Sequence, residues 1–263
     1  MKRSETPGGN QLRALREASG KTQLEVELDA HLGIGYLQRV ESGKVRYPEC
    51  DTLERILAAL GARYTQRRDI LELFGYVVDA PLPNEADIRW AVDTCRAELD
   101  EAVFPVYLLD CSHRLLAWNP YVAKLFPIDR YAGQRLSMQK LLFDPSYGIS
   151  GLIANPEAFF PALIRALRNQ VTLFRSEAWY AELIDDLRQN HPLFETYWTQ
   201  AEPSEPPLAG RPLVPLLLDL PGIGRLRFRV TSESFAQDRR FRVIYYLPAD
   251  PATMRQCAAW AKP

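Results

Sequence analysis

Apolar residues recur along the first 75 positions at helical spacing, in stripes too short to be buried singly. Val26 and Ala30 stand four apart, Leu37 and Val40 three apart, which predicts two short helices with one apolar face each. His31, Leu32 and Gly33 leave room between them for the tight joint of a helix-turn-helix. Thr22 suits an N-cap for the first helix, and Gly43 supplies the left-handed residue that stops the second. A preceding helix over Asn10 to Ser19 carries Leu12, Leu15 and Arg16 on one side. After Pro48, Leu53, Ile56, Leu57 and Leu60 recur at i, i+3, i+4 and i+7 before Gly61. A fifth helix over 64–75 turns Ile70, Leu71 and Phe74 inward. Pro81 and Pro83 then interrupt the helical pattern. The expected organisation is an all-α domain at 1–75, a linker at 76–86 and a second domain at 87–263.

The second domain begins with a helical seam, Ile88, Val92, Cys95, Leu99 and Val103, assigned to that domain's core rather than to a dimer contact. The texture then changes to strand, turn, strand: PVYLLD, CSHR, LLAWN. A helix from Pro120 carries Val122, Leu125 and Phe126. Three further helical stretches follow, marked by Phe159/Leu163/Leu167, Leu183/Ile184/Leu187 and Phe194/Trp198. Three strand-like runs and a short helix from Pro251 to Trp260 close the chain. In the middle run Leu226, Phe228 and Val230 alternate with Arg225, Arg227 and Arg229, one face buried and one wet. The fold class is therefore multidomain, an all-α five-helix unit followed by an α+β unit with a five-stranded antiparallel sheet.

Composition narrows function mainly by exclusion. At 47% hydrophobic and 25% charged over 263 residues the chain reads as globular. It has no apolar run of about 18 residues and no secretory leader pattern, so a cytoplasmic protein without membrane contact is expected. The net charge of -1 means that nucleic-acid binding must rest on local groups, Arg39, Lys44 and Arg46, not on a basic domain. Cys50, Cys95, Cys111 and Cys257 are scattered, and so are the three histidines, which predicts no metal or cofactor site. Asp110, Cys111, Ser112 and His113 are adjacent in sequence, the wrong geometry for a catalytic set, and read as a hairpin turn. Gly222-Ile223-Gly224 precedes a strand and fails as a phosphate loop. No convergent acid, base and nucleophile set points to an enzyme.

Residues 9 to 61 resemble a lambda-repressor/Cro-like (XRE) DNA-binding domain: Gln23 opens the second helix, Tyr36, Leu37, Val40, Glu41 and Gly43 build the recognition helix, and Pro48 opens the fourth. The resemblance implies that Gly33, Ile34, Gly35, Gln38 and Arg39 face bases in the major groove, with Gln23, Tyr36, Lys44 and Arg46 near phosphates. It also implies a buried pair between Arg16 and Glu41. Arg39 could read a guanine edge and Gln38 an adenine. Three departures stand out: Glu27 where the family prefers a small residue, His31 where it prefers glycine, and Gly33 and Gly35 at base-reading positions. Glycine inside a helix costs about 0.5–1 kcal/mol relative to alanine, so a recognition helix soft at its start is expected.

The second domain has the element order of a PAS domain. Its runs PVYLLDCSHRLLAWNPYVAKLF, LLFDPS, ALRNQ, HPLFETYW and GRLRFRVTSESF followed by RRFRVIYYLPADP resemble the MmyB-like ligand-binding domain found behind XRE domains in bacterial regulators. That resemblance implies a sensor for an apolar small molecule, a long-chain fatty acid in the first place. Trp118, Phe143, Phe159, Leu163, Leu216, Phe228 and Tyr245 would line the pocket, with Arg165, Arg168 or Arg175 near its mouth for a carboxylate. A dry core built from the same aromatics is the alternative. His191 is the histidine placed to ligate a haem, though capping or surface exposure suits it better. Together these readings predict a one-component transcription regulator that binds a palindromic double-stranded operator as a homodimer, with recognition helices about 34 Å apart. The rival is a ligand-independent dimerisation scaffold.

Overall fold

The structure, a computed structural model, describes residues 6–128, 136–171, 174, 177–200 and 214–261. The chain divides into two compact units, Met1–Asp79 and Ala80–Pro263.

In the first unit five helices, α1 (Pro7–Ala18), α2 (Gln23–Asp29), α3 (Tyr36–Glu41), α4 (Cys50–Ala59) and α5 (Tyr64–Leu73), enclose one core. Leu12, Val26, Leu37, Val40, Leu53 and Ile56 are all fully buried there, one or two from each of the first four helices, so no helix keeps its apolar stripe from water alone. α1 starts three residues before Asn10. Thr6 caps it by accepting from the Gly9 amide at 3.2 Å, and Pro7, which has no amide hydrogen to waste, occupies the first turn. Gly9 is required by close approach, because a Cβ there would lie 2.7 Å from the Val40 carbonyl oxygen of α3.

α3 begins at Tyr36, with Gly35 as its N-cap in the left-handed region at φ 81°. Gly33 and Gly35 therefore precede the recognition helix, and the expected softness from glycine inside it does not arise. His31 takes a left-handed conformation at φ 53°, which costs a residue with a Cβ roughly 1–2 kcal/mol.

The second unit opens with α6 (Glu85–Glu101), capped by Asn84, whose side chain accepts from the Ala86 and Asp87 amides at 2.8 and 2.9 Å. Strands β1 (Val106–Asp110), β2 (Leu115–Trp118), β3 (Leu216–Leu220), β4 (Gly224–Ser234) and β5 (Phe241–Pro248) form an antiparallel sheet in the order β2-β1-β5-β4-β3. The last strand thus lies at the centre, beside the first. Between β2 and β3 come α7 (Val122–Leu125), α8 (Met138–Phe143), α9 (Pro156–Val171), α10 (Ala178–Asn190) and α11 (Pro192–Gln200); α12 (Pro251–Trp260) ends the unit. Alternation divides the sheet. Val106 and Leu108 of β1 and Phe241 and Val243 of β5 pack with Ala91, Cys95 and Leu99 of α6, while Tyr107, Leu109, Ile244 and Tyr246 turn to the other side, toward α8 and α9. Phe143, Phe160 and Phe194 bring α8, α9 and α11 together with ring centroids 4.9–5.1 Å apart. Arg225, Arg227 and Arg229 lie on the exposed side of β4, and Arg225 meets Asp219 of β3 at 2.8 Å.

Two polar residues fix the β1–β2 hairpin. Asp110 is fully buried and accepts from Ser112 N, Ser112 Oγ and Arg114 N at 2.8–2.9 Å, with the Arg114 guanidinium alongside. Asn119 accepts from Val106 N at 3.2 Å and donates to the Phe104 carbonyl at 2.7 Å, closing the far end.

Residues 80–83 belong to the second unit. Ala80 N donates to Glu177 Oε1 at 2.6 Å and Ala80 O accepts from Trp179 Nε1 at 3.0 Å; Arg240 donates to the Pro81 carbonyl at 3.2 Å and Arg114 to that of Pro83 at 3.5 Å. Tyr76, by contrast, donates to the Pro48 carbonyl of the first unit at 2.7 Å.

Candidate DNA-reading face and ligand cavity

The recognition helix is held from both ends by carboxylates. At its C-terminal end Glu41 is fully buried and accepts from Arg16 Nε at 2.7 Å and Arg16 Nη2 at 3.1 Å, a two-pronged pair joining α1 to α3. The hydrogen bond to Glu41 raises the Arg16 pKa above its ordinary value. Gln23 Nε2 donates to the same carboxylate at 2.7 Å, and Arg13 approaches within 3.6 Å. One of the two Gln23 amide hydrogens thus joins the internal network, because a buried carboxylate with acceptor capacity left draws in the nearest donor, and the other is left over for the expected phosphate contact.

At the N-terminal end Glu27, 2% exposed, accepts from Gly35 N at 2.9 Å and Leu37 N at 2.8 Å. The departure from a small residue therefore has a function. A carboxylate rising from α2 satisfies two of the amides that a short helix leaves unpaired and lies at the positive end of its dipole.

Between these anchors the outward positions are open. Gly33, Ile34, Gln38, Arg39, Lys44 and Arg46 are exposed, and Ile34 is 82% exposed despite being apolar. Tyr36 is half-buried against the core, with the Arg39 guanidinium 5.7 Å from its ring centroid; burial raises its hydroxyl pKa. Tyr47, which the sequence reading passed over, is 85% exposed on the same basic stretch. Its signal was an aromatic between Arg46 and Pro48 in a loop.

In the second unit a cavity of about 570 Å³ lies between the sheet and α8–α9. Phe159, Ala162, Leu163, Ala166 and Leu167 form one wall from α9, Met138, Gln139 and Leu142 another from α8, and Tyr107, Leu109, Val230, Arg242, Ile244 and Tyr246 the sheet floor; His113 reaches in from the hairpin. Of the expected pocket residues, Phe159 and Leu163 line this cavity. The others lie elsewhere. Phe143 fills the aromatic cluster with Phe160 and Phe194. Phe228 packs edge-on against Tyr246, and Leu216, its cross-strand neighbour, is fully buried. Trp118 pairs with Tyr107 across β1–β2 and is not among the lining residues. Tyr245 has the wrong parity on β5: it faces α6 and donates to Glu98, while Ile244 and Tyr246 face the cavity.

The expected cations are displaced for a helical version of the same reason. With 3.6 residues per turn, Arg165 and Arg168 lie well round α9 from its Phe159–Leu163–Ala166 seam. Arg168 stacks on the Trp198 ring at 4.4 Å and donates to the Trp198 carbonyl; burial lowers its pKa. Arg175 lies outside the described residues. His191 is 6% exposed, next to α11.

Arg242 and His113 are the cavity groups that sequence reasoning missed. Arg242, 9% exposed, sits on the cavity side of β5 and its guanidinium contacts His113 Nδ1, which Gln139 Nε2 also reaches at 3.1 Å. Burial pulls the Arg242 pKa down to about 10, and burial together with Arg242 holds that of His113 well below its usual value. An arginine in phase with Ile244 and Tyr246 inside an apolar strand was the available signal. Cys111 beside them is buried, its thiol pushed up to about 12, so it stays protonated.

A helix-turn-helix unit joined to a cavity-bearing sheet unit is the composition of a ligand-sensing transcription regulator, and comparison with known families places the chain among them. Residues 9–70 match a helix-turn-helix domain, and residues 94–259 match the MmyB-like transcription regulator ligand binding domain. The second match spans more than half of the sequence, so the chain belongs to the MmyB-like transcription regulator family. A search among curated proteins finds no match. Among the described residues no helix is long and apolar enough to cross a membrane.

Proposed function

We propose that the protein is a one-component regulator that reads a palindromic operator as a two-fold dimer and senses a long-chain fatty acid in a PAS-like unit. The observation that carries the ligand half is the cavity. Its volume of about 570 Å³ falls within the range of small-molecule sites. Its α9 wall is aliphatic and aromatic along a full helical seam, where each methylene of an acyl chain would gain about 0.8 kcal/mol on burial. The sheet order β2-β1-β5-β4-β3 supports the PAS-like reading. The DNA half rests on the exposed run Gln38, Arg39, Lys44, Arg46 beside a helix anchored at both ends. Ligand would act by binding the DNA-competent and DNA-incompetent arrangements with unequal affinity.

Native mass spectrometry of the purified chain, followed by denaturing extraction, tests the ligand half. A dimer carrying a long-chain acid supports the reading, and a chain that neither carries nor takes up such acids contradicts it. For the DNA half, the operator is first selected from random duplexes. Arg39→Ala then weakens binding to it by about 1–3 kcal/mol, roughly 5-fold to 150-fold, while binding to unrelated duplex changes little. Equal loss on both would make Arg39 a phosphate contact instead.

A further inference from the structure

We infer that Ile34 reads the C5-methyl group of a pyrimidine, thymine's in unmodified DNA, in the major groove of the operator. This rests on the DNA half of the reading above and names the chemical group that one outward position selects. An exposed apolar side chain needs no explanation by itself, but Ile34, 82% exposed, is carried on a backbone tied down on both flanks. Gly33, Ile34, Gly35 and Tyr36 form a tight turn, closed by Tyr36 N donating to the Gly33 carbonyl at 3.0 Å. Gly35, at φ 81° and ψ 3°, has the third-position values of a type II turn, so Ile34 occupies the second position. Glu27 fastens the same segment from α2, accepting from Gly35 N at 2.9 Å and from Leu37 N at 2.8 Å.

The side chain also stands clear of its neighbours. A Cβ added at Gly33 or at Gly35 would meet nothing within 4 Å, so the space on either side of Ile34 is open to an approaching surface. Gln38 and Arg39, which can hydrogen-bond to base edges, are exposed about one helical turn further on. Isoleucine can neither donate nor accept a hydrogen bond. Pressed against the polar edge of a base, it displaces water from donors and acceptors without replacing their partners, a cost that disfavours such edges. The C5-methyl is the apolar feature that a base pair presents in the major groove, and covering it with Ile34 removes two apolar surfaces from water at once. Because the turn is already fixed, little backbone freedom is lost in placing the side chain there.

The test uses the full chain and its selected operator, with each half-site thymine replaced in turn by deoxyuridine, which lacks only the methyl group. At one position the wild type loses about fourfold in affinity, the effect of burying one methyl group. Ile34→Ser removes the apolar surface at an exposed site and binds the thymine and deoxyuridine duplexes equally, so the methyl and the side chain are coupled. Its thermal unfolding, unchanged for a substitution so exposed, shows that it is folded. Half-site cytosines are compared with 5-methylcytosine in the same way. A gain of about fourfold on methylation, abolished by Ile34→Ser, assigns the contact to a methylated operator instead of to thymine. A wild type indifferent to every one of these methyl groups, or an Ile34→Ser chain that keeps the preference, overturns the inference while the DNA reading stands. Failure to select any operator overturns the DNA reading itself.

Discussion

Arg16→Ala is expected to lower the unfolding free energy of the helical unit by about 3 kcal/mol, the lower end of the range for breaking a buried ion pair. The loss is not that of one attractive contact. Glu41 is fully buried, and among the described residues its carboxylate without Arg16 keeps the Gln23 amide at 2.7 Å and the half-exposed Arg13 at 3.6 Å. Arg16 also donates to the Lys21 carbonyl at 3.0 Å, closing the turn before α2. For a unit this small, about 3 kcal/mol is a large share of total stability and corresponds to a fall in Tm on the order of 15 °C. Thermal unfolding followed by far-ultraviolet circular dichroism reads it as an earlier helical transition. A change under about 1 kcal/mol would place the pair among ordinary surface bridges.

Glu27→Ala should be nearly as costly and should fall more heavily on DNA binding. It leaves the amides of Gly35 and Leu37 without their acceptor, at about 1–3 kcal/mol for a buried unsatisfied donor. Because both amides lie at the start of α3, the expected result is a stability loss of about 3 kcal/mol with fraying of the recognition helix. Operator affinity should drop by more than the fraction unfolded explains. Glu27→Gln keeps an oxygen acceptor and should recover part of both losses. Amide hydrogen exchange is the direct reading. Faster exchange at Gly35 and Leu37, with α4 unchanged, is the predicted pattern, and unchanged exchange at those two amides would remove Glu27 from this role.

The order of elements and the division into a helical and a mixed unit were open to reading from periodicity, since both depend on local spacing: i, i+3, i+4 in the first unit, alternation in β4. What the sequence hid depends on geometry between elements. Glu27 looked like a misfit because its partners are backbone amides, which have no sequence signature and come into reach only once the turn around Gly35 is formed. Gly33 and Gly35 looked like helix interior because boundaries are poorly marked where the first helical residue, Tyr36, has no side-chain cap. Tyr245 and Tyr246 are adjacent tyrosines that carry no mark of which one faces inward until the register with β1 is known. His113 is a turn residue, as its place between two strands implies, yet it also lines the cavity from a left-handed backbone, which the sequence does not mark. The arginines of α9 were plausible by type and misplaced by helical phase.

Side chains next to the cavity groups also tie down the first residues of the second unit. Arg242 lies two residues from Arg240, whose guanidinium holds Asp238, Asp87 and the Pro81 carbonyl at 2.8–3.2 Å, and His113 adjoins Arg114, which reaches Pro83.

The most direct measurement is fluorescence anisotropy of the full chain on its selected operator, first lipid-free and then with tetradecanoic acid added back. The account predicts that operator affinity changes by about fivefold or more, in either direction, as expected of a coupling free energy of 1–3 kcal/mol, and that the change saturates with the acid's own binding curve. Identical operator affinity at zero and saturating acid, with the acid shown to be bound, would contradict it.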